Sequence, residues 1–133
     1  MLFLDTSALI KRYVAEDGSD VVVELMERDP EWAASALARL ETQVTLCHLG
    51  FTETDELVLL ERVRTDWDRF LVVPLTPPTL DRAIEIGCAL RVRTLDAIHI
   101  SSAAQLPIPL TLVTFDAVQA AAAQAYGLEV APR

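Results

Sequence analysis

Two apolar runs of this chain end on an aspartate: Leu2-Phe3-Leu4 leads into Asp5, and Leu112-Val113-Thr114-Phe115 into Asp116. Ligands of open parallel sheets bind at the carboxyl ends of the strands, so both acids are expected to point into one crevice. An acid in that position is equally suited to capping the helix that follows it. Glu41 lies one turn from both Leu37 and Val44, inside a stripe of Leu37, Leu40, Val44 and Cys47 that reads as the buried face of a helix. There it is either a boundary residue reaching toward solvent or a buried ligand, because an ionised carboxylate left unpaired in apolar surroundings is costly. Asp96 sits in the first turn of a helix over Thr94-Leu95-Asp96-Ala97-Ile98-His99, where the helix dipole alone would favour it.

Four carboxylates gathered in one pocket repel one another and raise each other's pKa unless a cation compensates. Oxygen-only donors suit the hard ions Mg2+ and Mn2+, which keep several waters and leave positions open for phosphate oxygens. Zinc is disfavoured, since His48, His99, Cys47 and Cys88 form no cluster with ligand spacing. One or two hard ions held by such a set can activate water and clamp the scissile phosphate of a phosphodiester. The chemistry expected of the four acids is metal-dependent hydrolysis of nucleic acid, with no side-chain general base required.

Alternating strands and helices must position these acids. Strands are expected at Leu2-Phe3-Leu4, more weakly at Trp32-Ala33-Ala34, then at Leu71-Val72-Val73 and Leu110-Thr111-Leu112-Val113, with an edge strand at Glu129-Val130. A first helix carries Leu9, Ile10, Tyr13 and Val14, a second runs from Ser19 to Asp29-Pro30, and a third is capped by Ser35 and runs to about Leu49. A charged helix covers roughly residues 54–70. The next opens at Thr76-Pro77-Pro78 and shows Leu80, Ala83, Ile84, Gly87 and Leu90 on one face. Another starts at Thr94 and stops before Pro107 and Pro109, and an alanine-rich helix from Asp116 to Tyr126 is closed by Gly127. This alternation predicts an α/β fold with a parallel sheet covered by helices on both faces. With 133 residues and no repeat, low-complexity tract or linker, a single domain spanning 1–133 is expected.

Four segments carry a resemblance: Leu4-Asp5-Thr6-Ser7-Ala8-Leu9, Glu41 in the third helix, Arg93-Thr94-Leu95-Asp96-Ala97-Ile98-His99, and Val113-Thr114-Phe115-Asp116. In this order and spacing the chain resembles the PIN-domain nucleases, and within them the VapC-type toxins of bacterial and archaeal toxin–antitoxin pairs. The resemblance implies a three-layer α/β/α domain around a short, mostly parallel sheet, and a Mg2+- or Mn2+-dependent endoribonuclease. It implies that Asp5, Asp96 and Glu41 hold the principal metal, directly or through water. Asp116 would complete the pocket, hold a second ion or position the attacking water. Thr114 matches a family position whose hydroxyl orients the acids, while Ser7 and Thr6 cap the first helix and support the site. A homodimer is implied too, with a cognate antitoxin whose carboxy-terminal segment covers the groove. A haloacid-dehalogenase-type phosphatase would need an aspartate where Ser7 stands, and a receiver domain a late lysine, whereas Lys11 is the only lysine. The remaining rival is a PIN-like fold kept as a catalytically silent protein-binding or regulatory module, whose degenerate members would lose acids that this chain keeps.

A formal charge of −9, from 20 acidic and 11 basic side chains, argues against non-specific coating of nucleic acid, which needs a basic footprint. Contact with RNA must then be local or metal-assisted. Lys11, Arg12, Arg39, Arg91 and Arg93 are candidates to hold its backbone, Arg91 and Arg93 foremost, with solvated helix-end cations as the alternative. His99, one turn after Asp96, reads as a satisfied, partly buried histidine or as a donor to Asp96. Tyr13, Trp32 and Trp67 read as packing residues, with base stacking as the alternative. Hydrophobic residues make up 52% of the chain, a surplus that points to an oligomer or a partner. Cys47 and Cys88 are expected to be reduced packing thiols. The first apolar run stops at Asp5 without a basic flank, and no stretch approaches the ~18–20 apolar residues of a membrane span, so no membrane association and a cytoplasmic location are expected.

Overall fold

Five short strands form one sheet in the computed structural model, which describes residues 1–133. In chain order the elements are β1 (Leu2–Leu4), α1 (Thr6–Tyr13), α2 (Ser19–Arg28), β2 (Trp32–Ser35), α3 (Ala36–His48), α4 (Glu53–Trp67), β3 (Leu71–Val73), α5 (Pro77–Leu90), α6 (Thr94–Ala103), β4 (Thr111–Val113), α7 (Ala117–Tyr126) and β5 (Glu129–Ala131). The strands lie in the order β3-β2-β1-β4-β5, and every neighbouring pair is parallel. The chain steps outward from β1 through β2 to β3, then crosses to the other side of β1 for β4 and β5. The reversal falls between β1 and β4, where Leu4 pairs with Val113. Asp5 follows the first of these strands and Thr114-Phe115-Asp116 the second. That is the switch point where an open α/β sheet forms its crevice.

Strands buried on both faces need apolar side chains of both parities. Leu2 and Leu4 pack on one face with Ala8, Leu9, Val22, Met26, Leu46 and Val63, drawn from α1 to α4. Phe3, Ala33 and Leu112 enter the other face with Ala83, Ile86, Ile100 and Ala123, drawn from α5, α6 and α7. The result is a three-layer α/β/α arrangement. In α6 every residue from Asp96 to Ala103 is buried. Ala97, Ser101, Ser102 and Ala103 are small enough to let that helix lie close against α5 and β2. Tyr13 and Trp32 are also buried, and Trp67 stacks on Phe70 with ring centroids 5.3 Å apart, so all three aromatic residues pack within the fold.

Two expected faces are rotated. In α3 the buried residues are Ala38, Thr42 and Leu46, whereas Leu40 is 61% and Val44 44% exposed. In α5 they are Thr79, Ala83 and Ile86, whereas Leu80 and Ile84 face outward. Both helices carry two overlapping stripes at helical spacing, and the stripe with the smaller residues turns inward because it permits closer approach to the sheet and to neighbouring helices. Cys47 and Cys88 lie on the outer sides of these helices, so both free thiols are exposed rather than packed in the core. The charged helix ends at Trp67, short of Phe70.

Gly18 precedes α2 with φ +89°, and a Cβ added there would lie 2.6 Å from Phe115 Cε1. The Lys11 ammonium lies 4.8 Å from the centre of the same Phe115 ring. Gly18→Ala is therefore expected to destabilise the fold by about 1–2 kcal/mol, through the left-handed backbone and the displaced ring, as measured by chemical denaturation.

Candidate active site

Asp5, Glu41, Asp96 and Asp116 line one cavity of about 550 Å³ at the carboxyl ends of β1 and β4. Asp5 is 3% exposed, so its oxygens must be satisfied by the protein. Its Oδ1 accepts from the Ala8 amide at 2.9 Å and the Ser7 hydroxyl at 2.7 Å. Its Oδ2 accepts from the Thr114 hydroxyl at 2.6 Å and the Gln119 side-chain amide at 2.9 Å. Burial pushes the Asp5 carboxyl above its ordinary value, while the bonds from Thr114, Ser7 and Ala8 pull the other way. The two hydroxyls are held in turn: Ser7 accepts from the Phe115 amide at 2.8 Å, and Thr114 from the Asp116 amide at 3.2 Å.

Asp116 divides its oxygens. Oδ1 caps α7, accepting from the Val118 and Gln119 amides at 2.9 and 3.0 Å, and Oδ2 accepts from Arg93 Nη2 at 2.9 Å. Asp96, 5% exposed in the first turn of α6, receives Arg93 Nε on Oδ2 at 3.0 Å. One guanidinium thus spans two carboxylates, and its bonds to Asp96, foremost, and to Asp116 raise the Arg93 pKa further. Glu41 is half-buried; its Oε1 accepts from the Thr6 hydroxyl at 2.7 Å and lies 2.8 Å from His99 Nε2. Burial raises the Glu41 carboxyl, but the bonds from His99 and Thr6 outweigh it and hold the group below its ordinary value. His99 therefore meets Glu41 rather than Asp96, and its buried Nδ1 has no protein partner.

The cap of α1 is Asp5 itself, while Thr6 and Ser7 lie inside the helix and turn their hydroxyls to Glu41 and Asp5. Among the candidate cations, Arg93 lines the acidic cavity. Arg91, in the left-handed region at φ +54°, borders a neighbouring groove beside α7. Lys11 and Arg12 line a different cavity and are engaged elsewhere, Lys11 with Glu16 at 3.0 Å and Arg12 with Asp66 at 3.2 Å. Arg39 is half-buried on α3. Gln119, 2% exposed, escapes a reading of the sequence. Its spacing from Asp116 looks like a capping box, yet its side chain goes to Asp5 instead.

The donor set is all oxygen, which fits a hard divalent cation. No three His, Cys, Asp or Glu side chains converge closely enough to share one ion in this arrangement. Arg93 holds Asp96 and Asp116, and Glu41 is drawn to Thr6 and His99. Because Glu41 is held below 4.5 in the folded chain, its pairing adds stability above that pH and loses it as pH falls through the lower folded value. Glu41→Gln is expected to be less stable than wild type near about pH 6 and to converge on it in acid, read from urea midpoints.

Residues 2–125 match the PIN domain family. Over 121 residues the chain is 33% identical to Ribonuclease VapC47 of Mycobacterium tuberculosis, an alignment covering 87% of this chain and 85% of that protein. The crystal structure of FitAcB from Neisseria gonorrhoeae superposes with a TM-score of 0.78 at 20% identity, covering 98% of this chain and 96% of that one. A toxin–antitoxin complex from Klebsiella pneumoniae gives 0.68 at 18% identity, covering 87% of each chain. These two are likenesses of fold. The sequence match is broader than the acidic cavity and takes in the strands and helices that build it. On that agreement the chain belongs to the PIN-domain family.

Proposed function

We propose that this chain is a metal-dependent endoribonuclease and the toxin of a toxin–antitoxin pair. The observation that carries the reading is the delivery of four acids, by the ends of β1 and β4 and by α3 and α6, to one cavity. The relative at 33% identity is named a ribonuclease, and solved structures of the same fold include toxin–antitoxin complexes, which supports the assignment.

Asp5, Asp96, Glu41 and Asp116 are the residues that would hold Mg2+ or Mn2+, one ion or two. Such an ion, when bound, supplies positive charge beside the scissile phosphate and acidifies water. The chain's own part is positioning. Four donors, two on each oxygen, fix the position and orientation of the Asp5 carboxylate at the floor of the cavity. Thr6 and His99 do the same for Glu41, and the α7 cap for Asp116. Thr114 ties the two strand-end acids together, with its hydroxyl on Asp5 and its oxygen on the Asp116 amide. Arg93 at the mouth and Arg91 beside it are the foremost cations for the RNA backbone, ahead of Lys11 and Arg12.

The charge of −9 suits a basic segment of a cognate antitoxin. Outward-facing Leu80 and Ile84 border an apolar cavity of about 320 Å³ with Ala97 and Ile98, which supports a homodimer. No helix is long and apolar enough to cross a membrane, and the cytoplasm is the proposed location.

Purified chain, free of any partner, is expected to cut RNA with added Mg2+ or Mn2+ and to stop when the metal is chelated. Asp5→Asn and Asp96→Asn should each lower cleavage by at least about 100-fold with secondary structure intact. Cleavage of a broad panel of structured RNAs by Asp5→Asn at the wild-type rate would remove the reading. Gln119→Leu keeps the volume but leaves Asp5 one donor short, and should weaken Mn2+ binding by about tenfold while RNA binding in the absence of metal is unchanged.

A further inference from the structure

We infer that Arg93 is a built-in occupant of the acidic cavity, a side chain that must leave Asp96 and Asp116 before a divalent cation can be held there, and that it thereby sets the concentration of metal at which the site loads. The inference rests on the proposal above that these acids hold such a cation.

Arg93 is the only lysine or arginine that lines the cavity. Its planar fork reaches Asp96 Oδ2 through Nε at 3.0 Å and Asp116 Oδ2 through Nη2 at 2.9 Å, with a longer 3.5 Å contact from Nη2 to Asp96 Oδ1. A lysine, as a point charge, could not hold both carboxylates in this manner. While the guanidinium stands between them, half of their joint charge is already compensated, and no three acidic or histidine groups approach closely enough to share an ion. Arginine and metal therefore satisfy the same electrostatic need and compete for it.

The two sides of the contact differ in freedom. The Asp96 side chain is 7% exposed on a helix buried from Asp96 onward, and Asp116 is tied by its cap, whereas the Arg93 side chain is 72% exposed. Arg93 is itself the residue before α6, and its side chain makes no cap bond to that helix. Its departure breaks an exposed pair with Asp116 and a partly buried one with Asp96 and leaves the apolar packing untouched; the Asp116 contact is of the weak surface kind, and a doubly charged ion arriving at Asp96 replaces the charge that leaves. The acids stay in place while the arginine moves.

The test is calorimetric titration of the full chain with Mn2+ at low ionic strength. Arg93→Met keeps the stem and removes the charge. If the guanidinium holds its place in about nine molecules of ten, this variant binds Mn2+ about tenfold more tightly than wild type, and Arg93→Lys falls between the two. In parallel, the Arg93 side-chain Nε–H resonance of wild type should shift on saturation with diamagnetic Mg2+. Unchanged or weaker Mn2+ affinity in Arg93→Met, or an Arg93 resonance that Mg2+ does not move, overturns the inference and leaves the proposed activity standing. Failure of wild type to bind Mn2+ at all overturns both.

Discussion

Burial of the Asp5 carboxylate is the constraint around which the rest of the molecule is arranged. An ionised carboxylate removed from water is costly unless its lone pairs are met, and Asp5 is almost fully enclosed. The donors that meet them come from α1, from the residue after β4 and from the first turn of α7. Those elements can surround one side chain only if β4 pairs directly with β1, which the sheet order achieves by reversing direction at that point. The topology, the two strand-end turns and the placement of Gln119 are in this sense solutions to one desolvation problem.

Capping and site-building are usually weighed as rival explanations for an acid at the start of a helix. Here Asp5 and Asp116 do both, because a carboxylate has two oxygens. In Asp116 one oxygen meets the helix amides and the other faces the cavity; in Asp5 one oxygen meets both helix and Ser7, and the second takes Thr114 and Gln119. The cap makes the acid's direction a property of the helix, so the backbone itself holds the geometry. Glu41 and Asp96 lack that device. Glu41 relies on a hydroxyl and an imidazole, and Asp96 on a helix so enclosed that it has nowhere to shift.

The sequence made the strands and the four acids legible because both depend on local order: short apolar runs stop abruptly at a carboxylate, and Asp96 lies in a recognisable helix start. It made the helix faces less legible. In α3, Leu37, Leu40 and Val44 form a convincing stripe, yet Ala38, Thr42 and Leu46 form another, and only the close approach of neighbouring elements decides between them. The same ambiguity turned Leu80 and Ile84 outward in α5. Partnerships between distant side chains left still less trace. Nothing local to Gln119 or His99 announces that the one serves Asp5 and the other Glu41, since those residues are 114 and 58 positions away.

That separation bears on how the protein is made. β1 occupies the centre of the sheet but is the first of the five strands to be synthesised, and its neighbour β4, at Thr111–Val113, follows only after eight other strands and helices. Until Thr114 and Gln119 emerge, Asp5 lacks half of its donors and has no second strand-end acid beside it. A nascent chain therefore carries no complete acidic cavity before Gln119 has been added. Assembly of the site waits on a pairing of high sequence separation, the slowest kind of contact to form. The fold thus withholds its chemistry until β4 and the first turn of α7 are in place.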